Sequence, residues 1–298
     1  WSVSEDGLQY RFELRRNVKW HDGQPFTAAD VVYSIGLLKS AHPRGRTTFA
    51  NLLESGAVDE HTVVLKLSKP APYLLYALAA GESPIVPRHI YDGKGDPLQN
   101  PNNRAPVGTG PFVFKEWVLG NYVGYVRNPN YWDSPKPYLD ALLVRVIPDG
   151  AARAVAFETG ELDLGGSTPV SPLDLERFRS LPHLGQETRG YEYSPTLYGL
   201  EFNLDHPILK SPQVRKAIAH AVDPAVVLNV AWYGLGERTV SIVSPTLKRF
   251  YNDKVPTYPY DPKAAARLLD EAGFPLRGRW RFALTHDFQP FGENFKRS

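Results

Sequence analysis

Apolar and polar residues follow a period of two in several short stretches of this chain. Residues 8–14 alternate in this way, which is typical of a half-buried strand. Residues 57–67 hold two more extended runs on either side of a polar turn, and the alternation at Phe112 and Phe114 indicates another strand. Residues 142–147 are rich in β-branched residues, which favour strands. Later strands are predicted over residues 162–164, 196–203 and 279–285.

Helices are predicted where the apolar period lengthens to three and four residues and a capping residue comes first. Thr27 and Asp30 are spaced as a capping box. Three later positions join an N-cap residue to a proline, whose missing N–H is tolerated at the start of a helix. They are residues 211–212, 223–224 and 261–262. Further helices are predicted over residues 70–80, 150–160 and 174–181.

The middle of the chain has the order strand, helix, strand over residues 142–164. This order is typical of an α/β fold with a mixed or parallel sheet. Ligands of such sheets lie beyond the carboxyl ends of the strands, so the loop 165–169 is expected at a cleft. The polar candidates for ligand contact in this loop are Ser167 and Thr168.

A polar stretch, residues 42–48, lies between a predicted helix and a predicted strand. The favoured interpretation is an exposed loop. The alternative is a ligand-facing loop in which Arg46 meets a carboxylate or a phosphate, because a guanidinium binds such groups with two parallel hydrogen bonds.

The composition limits the classes of protein to which this chain can belong. A chain of 298 residues is long enough for two domains, and its 42% hydrophobic and 22% charged residues are ordinary for a globular protein. The net charge of +2 does not indicate a nucleic-acid partner. Cysteine is absent, which excludes disulfides, thiolate metal sites and cysteine nucleophiles.

The ends of the sequence and its apolar runs bear on targeting. No apolar run approaches the roughly 20 residues that cross a bilayer. The chain opens at Trp1 and contains no methionine, so we expect a fragment from which a signal segment and more have been removed.

Motifs for catalysis are missing from the sequence. The eight histidines are dispersed without a His-Glu-x-x-His arrangement, and no Gly-x-Ser-x-Gly elbow is present. We therefore expect no enzyme, no cofactor and no metal, and we keep a hydrolase acting on peptides or related small solutes as the alternative.

Several passages share the motifs of one family. Residues 10–32 contain His-Asp-Gly, Pro-Phe and Thr-Ala-x-Asp-Val, and residues 108–117 begin with Gly-Thr-Gly-Pro-Phe. Residues 128–132 read Asn-Pro-Asn-Tyr-Trp, and residues 200–223 contain Leu-Glu-Phe-Asn followed by a Val-Arg-Lys-Ala-Ile-Ala-His-Ala-Val-Asp helix. Together with a Tyr-Asp-Pro passage at residues 260–274, these resemble the peptide/nickel-type extracellular solute-binding proteins of ABC importers.

The resemblance implies an α/β fold of the type II periplasmic-binding-protein kind, with two lobes, mixed sheets and an inserted subdomain. It implies that residues 1–107 form the inserted subdomain of the first lobe and that residues 108–200 form the core of that lobe. Residues 201–298 would then begin a second lobe that is incomplete in this chain.

The resemblance also implies a function. The protein would be periplasmic or otherwise extracytoplasmic, and membrane-associated if lipidated. It would capture a peptide or a similar small solute between its lobes and deliver it to the permease subunits of an ABC importer. Glu201 is expected to be a buried carboxylate near a ligand amine or polar group. The other candidates in the same part of the chain are Tyr198, Trp232 and Tyr233.

Overall fold

A computed structural model describes residues 1–79, 81–166, 169–190 and 196–288 of the chain. The chain divides into two compact units, Trp1–Val146 and Ile147–Ser298, which are described separately below. The lobe boundaries after residues 107 and 200 stay predictions.

The first unit begins with an antiparallel sheet. Its strands are β1 (Ser2–Val3), β2 (Gln9–Glu13), β3 (Leu52–Asp59) and β4 (Thr62–Leu67). They lie in the order β1-β2-β4-β3, so β4 is flanked on both sides. The strand predicted over residues 8–14 and the pair predicted over residues 57–67 are confirmed.

One helix covers this sheet. Helix α1 (Ala28–Ala41) begins after Thr27, as the capping box predicts, and buries Ile35 and Leu38. They share a core with Val63 and Leu65 of β4, which are 0% and 1% exposed. Burying each such side chain contributes about 1.5–3 kcal/mol, so this core is the main stabilising element of the unit.

One short helix lies between α1 and β3, and two more follow β4. They are α2 (Gly45–Thr48), α3 (Leu74–Ala77) and α4 (Arg88–Tyr91), with 3-10 turns at Pro97–Gln99 and Pro101–Asn103. The prediction of a loop over residues 42–48 is wrong at α2. A β-carbon on Gly45 would lie 1.8 Å from the Leu38 carbonyl oxygen, so only glycine lets this turn pack there. The helix predicted over residues 70–80 is regular only in α3.

The first unit ends with a second antiparallel sheet. Its strands are β5 (Phe112–Val118), β6 (Tyr122–Arg127) and β7 (Ala141–Arg145), in that order. The register of β5 against β6 shifts between Phe114 and Glu116, whereas β6 and β7 pair without a shift. The strands predicted from Phe112 and over residues 142–147 are thereby confirmed.

The regular elements described in the second unit are helices. Its helices are α5 (Gly150–Glu158), α6 (Pro172–Phe178), α7 (Pro212–Ala221), α8 (Pro224–Trp232) and α9 (Pro262–Glu271). The side chains of Asp223 and Asp261 accept backbone N–H groups of α8 and α9 at 2.9 Å, as their cap-and-proline patterns predict. Ser211 precedes α7, but its hydroxyl pairs with the Gln213 side chain at 3.3 Å instead.

Helices α7 and α9 lie close to each other. Val214 and Ala217 of α7 are fully buried, and Ala265 of α9 is 4% exposed. The His220 carbonyl accepts the Asp261 N–H at 2.8 Å, so the end of α7 is tied to the start of α9.

Three predicted strands are wrong. Residues 162–164, 196–203 and 279–285 form no strand in the described part of the chain, although Arg277 and Trp280 make an isolated bridge. A strand needs a neighbouring strand to which it is hydrogen-bonded, and no described strand pairs with these three segments. Both described sheets are antiparallel, so the strand, helix, strand order from residue 142 does not produce a parallel pair here. None of the helices in the described ranges is long and apolar enough to cross a membrane.

Candidate functional site

The most family-specific residues of the first unit meet at one hydrogen-bonded junction. The His21 N–H donates to the Gly108 carbonyl at 2.8 Å, and the Gly108 N–H donates to His21 Nδ1 at 3.1 Å. Because Nδ1 accepts, the ring proton lies on Nε2, which donates to the Gly110 carbonyl at 3.0 Å. The Asn128 side-chain amide donates to the same carbonyl at 3.0 Å. The junction therefore joins the His-Asp-Gly, Gly-Thr-Gly and Asn-Pro-Asn motifs.

A second polar centre is the buried carboxylate of Asp30, which is 5% exposed. It accepts the Trp20 indole N–H at 3.3 Å and the Thr27 N–H at 2.9 Å on one oxygen. Its other oxygen accepts the Arg88 N–H at 2.9 Å. The carboxylate thus links the start of α1 to the start of α4, and its role is to satisfy buried donors.

Arg46 lies on α2 in the first unit, where its side chain is exposed. It forms no ion pair with any residue in the described ranges, whereas its neighbour Arg44 pairs with Glu82 at 2.7 Å. The Arg46 guanidinium is therefore presented to solvent on a helical turn that Gly45 holds against α1.

The described part of the loop 165–169 in the second unit is tightly packed. A β-carbon on Gly165 would lie 2.6 Å from the Phe157 ring and 2.7 Å from Pro169. The Arg153 side chain donates to the Pro169 carbonyl at 2.6 Å and fixes the end of the loop. The two polar candidates of this loop, Ser167 and Thr168, lie outside the described residues.

Two of the predicted site residues in the second unit are brought together. The rings of Tyr198 and Trp232 stack with centroids 4.4 Å apart and planes inclined by 28°. Tyr198 is still 53% exposed, and partial burial raises the pKa of its phenol. Tyr233 follows directly and ends α8 in a left-handed conformation with φ of 52°. The pair forms an aromatic surface with one half-exposed ring.

The expected burial of Glu201 is wrong for this chain, because its side chain is exposed. The neighbouring apolar residues Leu197, Leu200 and Leu204 are also exposed, by 40%, 49% and 57%. This segment has no strand partner among the described residues, and its leucines and Glu201 remain exposed. A ligand contact by Glu201 stays a prediction.

The described residues include exposed groups that can contact a ligand. The second unit offers a stacked aromatic pair and an exposed carboxylate, and the first unit offers an exposed guanidinium. No group of three or more residues suited to holding a metal ion occurs among the residues that the structure describes. Sequence reasoning missed the junction of His21 and Asn128 and the contact of Asp30 with Arg88, although all three of His21, Asp30 and Asn128 lie in the motifs that carry the family resemblance.

The family model for the bacterial extracellular solute-binding proteins, family 5 Middle, matches residues 1–292. The chain belongs to this family. The resemblance of the motifs is thereby confirmed, and so is the type II periplasmic-binding-protein fold, which solved structures of relatives share.

Individual relatives of this family 5 chain bind different solutes. Heme-binding protein A of Haemophilus influenzae is 31% identical, over 92% of this chain and 53% of its own length. The oligopeptide-binding protein AppA of Bacillus subtilis, solved with a nonapeptide, is 26% identical with a TM-score of 0.76, over 93% of this chain and 55% of that one. NikZ of Campylobacter jejuni, solved with Ni(L-His), is 28% identical with a TM-score of 0.73, over 93% of this chain and 54% of that one.

The family 5 chain therefore spans about half the length of the relatives it matches. Family members are extracellular solute-binding proteins.

Proposed function

We propose that the natural protein containing this chain is a solute-binding receptor of an ABC importer that works outside the cytoplasm. It captures a peptide or a similar small solute and delivers it to the permease subunits in the membrane. The observation that carries this proposal is the match of residues 1–292 to a family of extracellular solute-binding proteins. Binding proteins of this kind close two lobes around the ligand about a hinge, and we expect the same motion here.

A peptide is our first candidate for the ligand. AppA of Bacillus subtilis was solved with a nonapeptide, and a further relative, from Escherichia coli, is a dipeptide-binding protein. Heme and Ni(L-His), which the names of other relatives give as their ligands, make a small metal complex the second candidate.

We propose Tyr198 and Trp232 as the apolar contact of the ligand. Stacking on Trp232 at 4.4 Å already orders the ring of Tyr198, while 53% of that residue stays exposed. A side chain that is ordered before binding loses less conformational entropy when a ligand packs on it. Tyr233, next to the pair, is proposed as a further contact.

Polar contacts are proposed for Glu201 and Arg46, each in its own unit. The Glu201 carboxylate can accept hydrogen bonds from a ligand amine, and the Arg46 guanidinium can donate to a carboxylate. Because both side chains are exposed, each contact is expected to contribute about 1 kcal/mol or less. Ser167 and Thr168 remain proposed donors of the loop 165–169.

The proposal is tested on the natural protein purified from its own host. Native mass spectrometry is expected to show a retained small solute, and calorimetric titration with that solute is expected to show saturable binding. The solute should be recovered unchanged afterwards. Conversion into a product during the titration would support the hydrolase alternative, which no observation on the chain favours. A protein that neither retains a solute nor binds any of a panel of short peptides, heme and nickel chelates would contradict the receptor proposal.

A further inference from the structure

A cavity of about 370 Å³ lies beside strand β5 of the first unit, and its lining contains none of the residues proposed above as ligand contacts. The lining residues are Arg104, Phe114, Glu116, Trp117 and Leu119. Pockets that bind small molecules have volumes of roughly 300–1,000 Å³ and combine an apolar lining with a few polar groups. The cavity has this size and this composition, with three apolar side chains, one cation and one anion.

A bulge in β5 places the two aromatic residues of this lining on one face of the sheet. Phe114 pairs with Tyr125 of β6, and Trp117 pairs with Val123, after a register shift between residues 114 and 116. Paired residues lie on the same face of an antiparallel sheet, and Tyr125 and Val123 share a face because they are two positions apart. In a regular strand, residues three positions apart point to opposite faces. The bulge therefore aims both aromatic side chains at the cavity, a role that bulges often have beside functional sites.

The apolar side chains of the lining differ in how firmly they are held. The Phe114 ring meets the Tyr125 ring in a T-shaped contact, with centroids 6.2 Å apart and planes inclined by 81°. Leu119 lies in the turn between β5 and β6 and is 83% exposed, and Trp117 is 46% exposed. One side of the cavity is therefore ordered by packing within the sheet, and the other apolar side chains are open to solvent.

Arg104 provides the positive charge of the cavity. It directly follows the 3-10 turn Pro101–Asn103, and its N–H donates to the Pro101 carbonyl at 3.1 Å. Its guanidinium forms no ion pair with any described residue, unlike Arg88 and Arg127, the arginines before and after it in the chain. The backbone of Arg104 is therefore fixed, while its charge is open to an anion.

The acidic residue of the lining is already paired. The Glu116 carboxylate accepts the Tyr122 hydroxyl at 3.2 Å and lies 3.9 Å from the Lys115 ammonium. Glu116 pairs with Gly124, which is adjacent to Tyr125, so its side chain points away from the face that carries the two aromatic side chains. The charge offered to a ligand on that face is therefore that of the guanidinium.

We propose that this cavity is a second binding site, for a small aromatic carboxylate. The ring of the ligand packs on Phe114 and Trp117, and its carboxylate binds the Arg104 guanidinium, which can donate two parallel hydrogen bonds. Both contacts act together only on a ligand that carries both groups, so the site discriminates against uncharged and cationic analogues. The proposal does not depend on which solute the protein transports.

Calorimetric titration of the natural protein with phenylacetate tests the choice of ligand. We expect saturable binding of phenylacetate. Phenylacetamide, which lacks the charge, and phenethylamine, which carries the opposite charge, should bind roughly fivefold or more weakly. Equal affinity for the three probes would overturn the role of Arg104, and no binding of phenylacetate at roughly 10 mM would overturn the site itself.

Substitutions in the natural protein identify where the probe binds. Arg104→Ala and Trp117→Ala are each expected to weaken phenylacetate binding roughly fivefold. Val118→Ala is the matched control, because Val118 is next to Trp117 but points to the opposite face of β5 and is 39% exposed. Wild-type affinity in all three variants would place the probe elsewhere and overturn the proposal.

A spectroscopic measurement on the wild type does not depend on the affinities of the variants. The indole N–H resonance of Trp117, identified by its loss in Trp117→Phe, should shift as phenylacetate is added and should saturate with the calorimetric affinity. A resonance that does not move while phenylacetate binds would contradict the proposed site.

Discussion

The two units use their family-specific residues in opposite ways. In the first unit, His21 and Asp30 each bind several backbone or indole groups, and they fix the turns around the first sheet and α1. In the second unit, residues 196–204 form no strand among the described residues, and Tyr198 and Glu201 are exposed. The comparison indicates that the motifs of the first unit maintain the fold, whereas this second segment exposes Tyr198 and Glu201, for which we propose a role in binding.

The largest effect is expected at Asp30. Asp30→Ala leaves the buried indole N–H of Trp20 and the part-buried backbone N–H groups of Thr27 and Arg88 without this acceptor, so the free energy of unfolding should decrease by about 3 kcal/mol. Urea unfolding of the chain measures this decrease. Asp92→Ala is the control, because it removes an exposed ion pair with Arg88 and should cost about 1 kcal/mol or less. Similar losses for the two variants would show that the buried carboxylate has no special role.

A smaller loss is expected at His21. His21→Ala removes the ring's bonds to the Gly108 N–H and the Gly110 carbonyl, and the free energy of unfolding should decrease by about 2 kcal/mol. His89→Ala, which removes a partly exposed pair with Asp22, is the matched control and should cost about 1 kcal/mol or less. A larger loss of stability in His89→Ala than in His21→Ala would show that the hydrogen bonds of the His21 ring do not hold the three motifs together.

Substitutions at the exposed residues of the second unit should change ligand affinity rather than stability. Tyr198→Ala removes the half-exposed ring that stacks on Trp232, and we expect ligand binding by the natural protein to weaken by about 1 kcal/mol. Tyr198→Phe keeps the ring and should bind nearly as well as the wild type. Calorimetric titration distinguishes the variants, and a loss that is equal for Ala and Phe would assign the effect to the hydroxyl rather than to stacking.

The smallest effect concerns pH. The Ala264 N–H bonds the Asp261 carboxylate and holds its pKa below the ordinary value. A lowered pKa in the folded state gives stability that is present above the unfolded pKa, about 3.9, and is lost as the pH falls through the folded value. Asp261→Asn should therefore flatten the decrease in stability below about pH 4. Asp253→Asn, at another exposed aspartate, is the control, and an unchanged slope in Asp261→Asn would contradict the capping role.

The helices that could be predicted are those whose first residues carry a capping pattern. Helix α1 begins where Thr27 and Asp30 form a capping box, and α8 and α9 begin at Asp223 and Asp261, each with a proline after it. In every case the groups that decide the start of the helix lie within four residues of each other.

The sequence-based predictions failed where an element or a side chain depends on contacts that form only in the folded chain. Residues 196–203 have strand-forming side chains, but a strand also needs a neighbour, which local sequence does not provide. The turn of α2 depends on the approach of Gly45 to Leu38, and His21 meets Gly110 across 89 positions of sequence. The sequence does not show that Gly45 will contact Leu38 or that His21 will contact Gly110; these contacts are seen only in the folded structure.

The sequence predicted which residues could belong to the candidate site, but it did not predict how they are arranged. Tyr198 and Trp232 were proposed as separate aromatics, and the fold stacks them. Glu201 was expected to be buried because the resemblance to the family implied a buried carboxylate near the ligand, yet its side chain is exposed in the described chain. The ligand roles of all these residues stay predictions.

The most direct test of the division between the two units is one titration series on the natural protein, with ligand affinity and Tm measured for the wild type, His21→Ala and Tyr198→Ala. We expect His21→Ala to lower the Tm and to bind the retained solute with unchanged affinity at temperatures where it is folded. Tyr198→Ala should keep the wild-type Tm and bind about fivefold more weakly. The reverse pattern, with weaker binding in His21→Ala and lower stability in Tyr198→Ala, would contradict the assignment of fold to the first unit's motifs and of binding to the second unit's exposed segment.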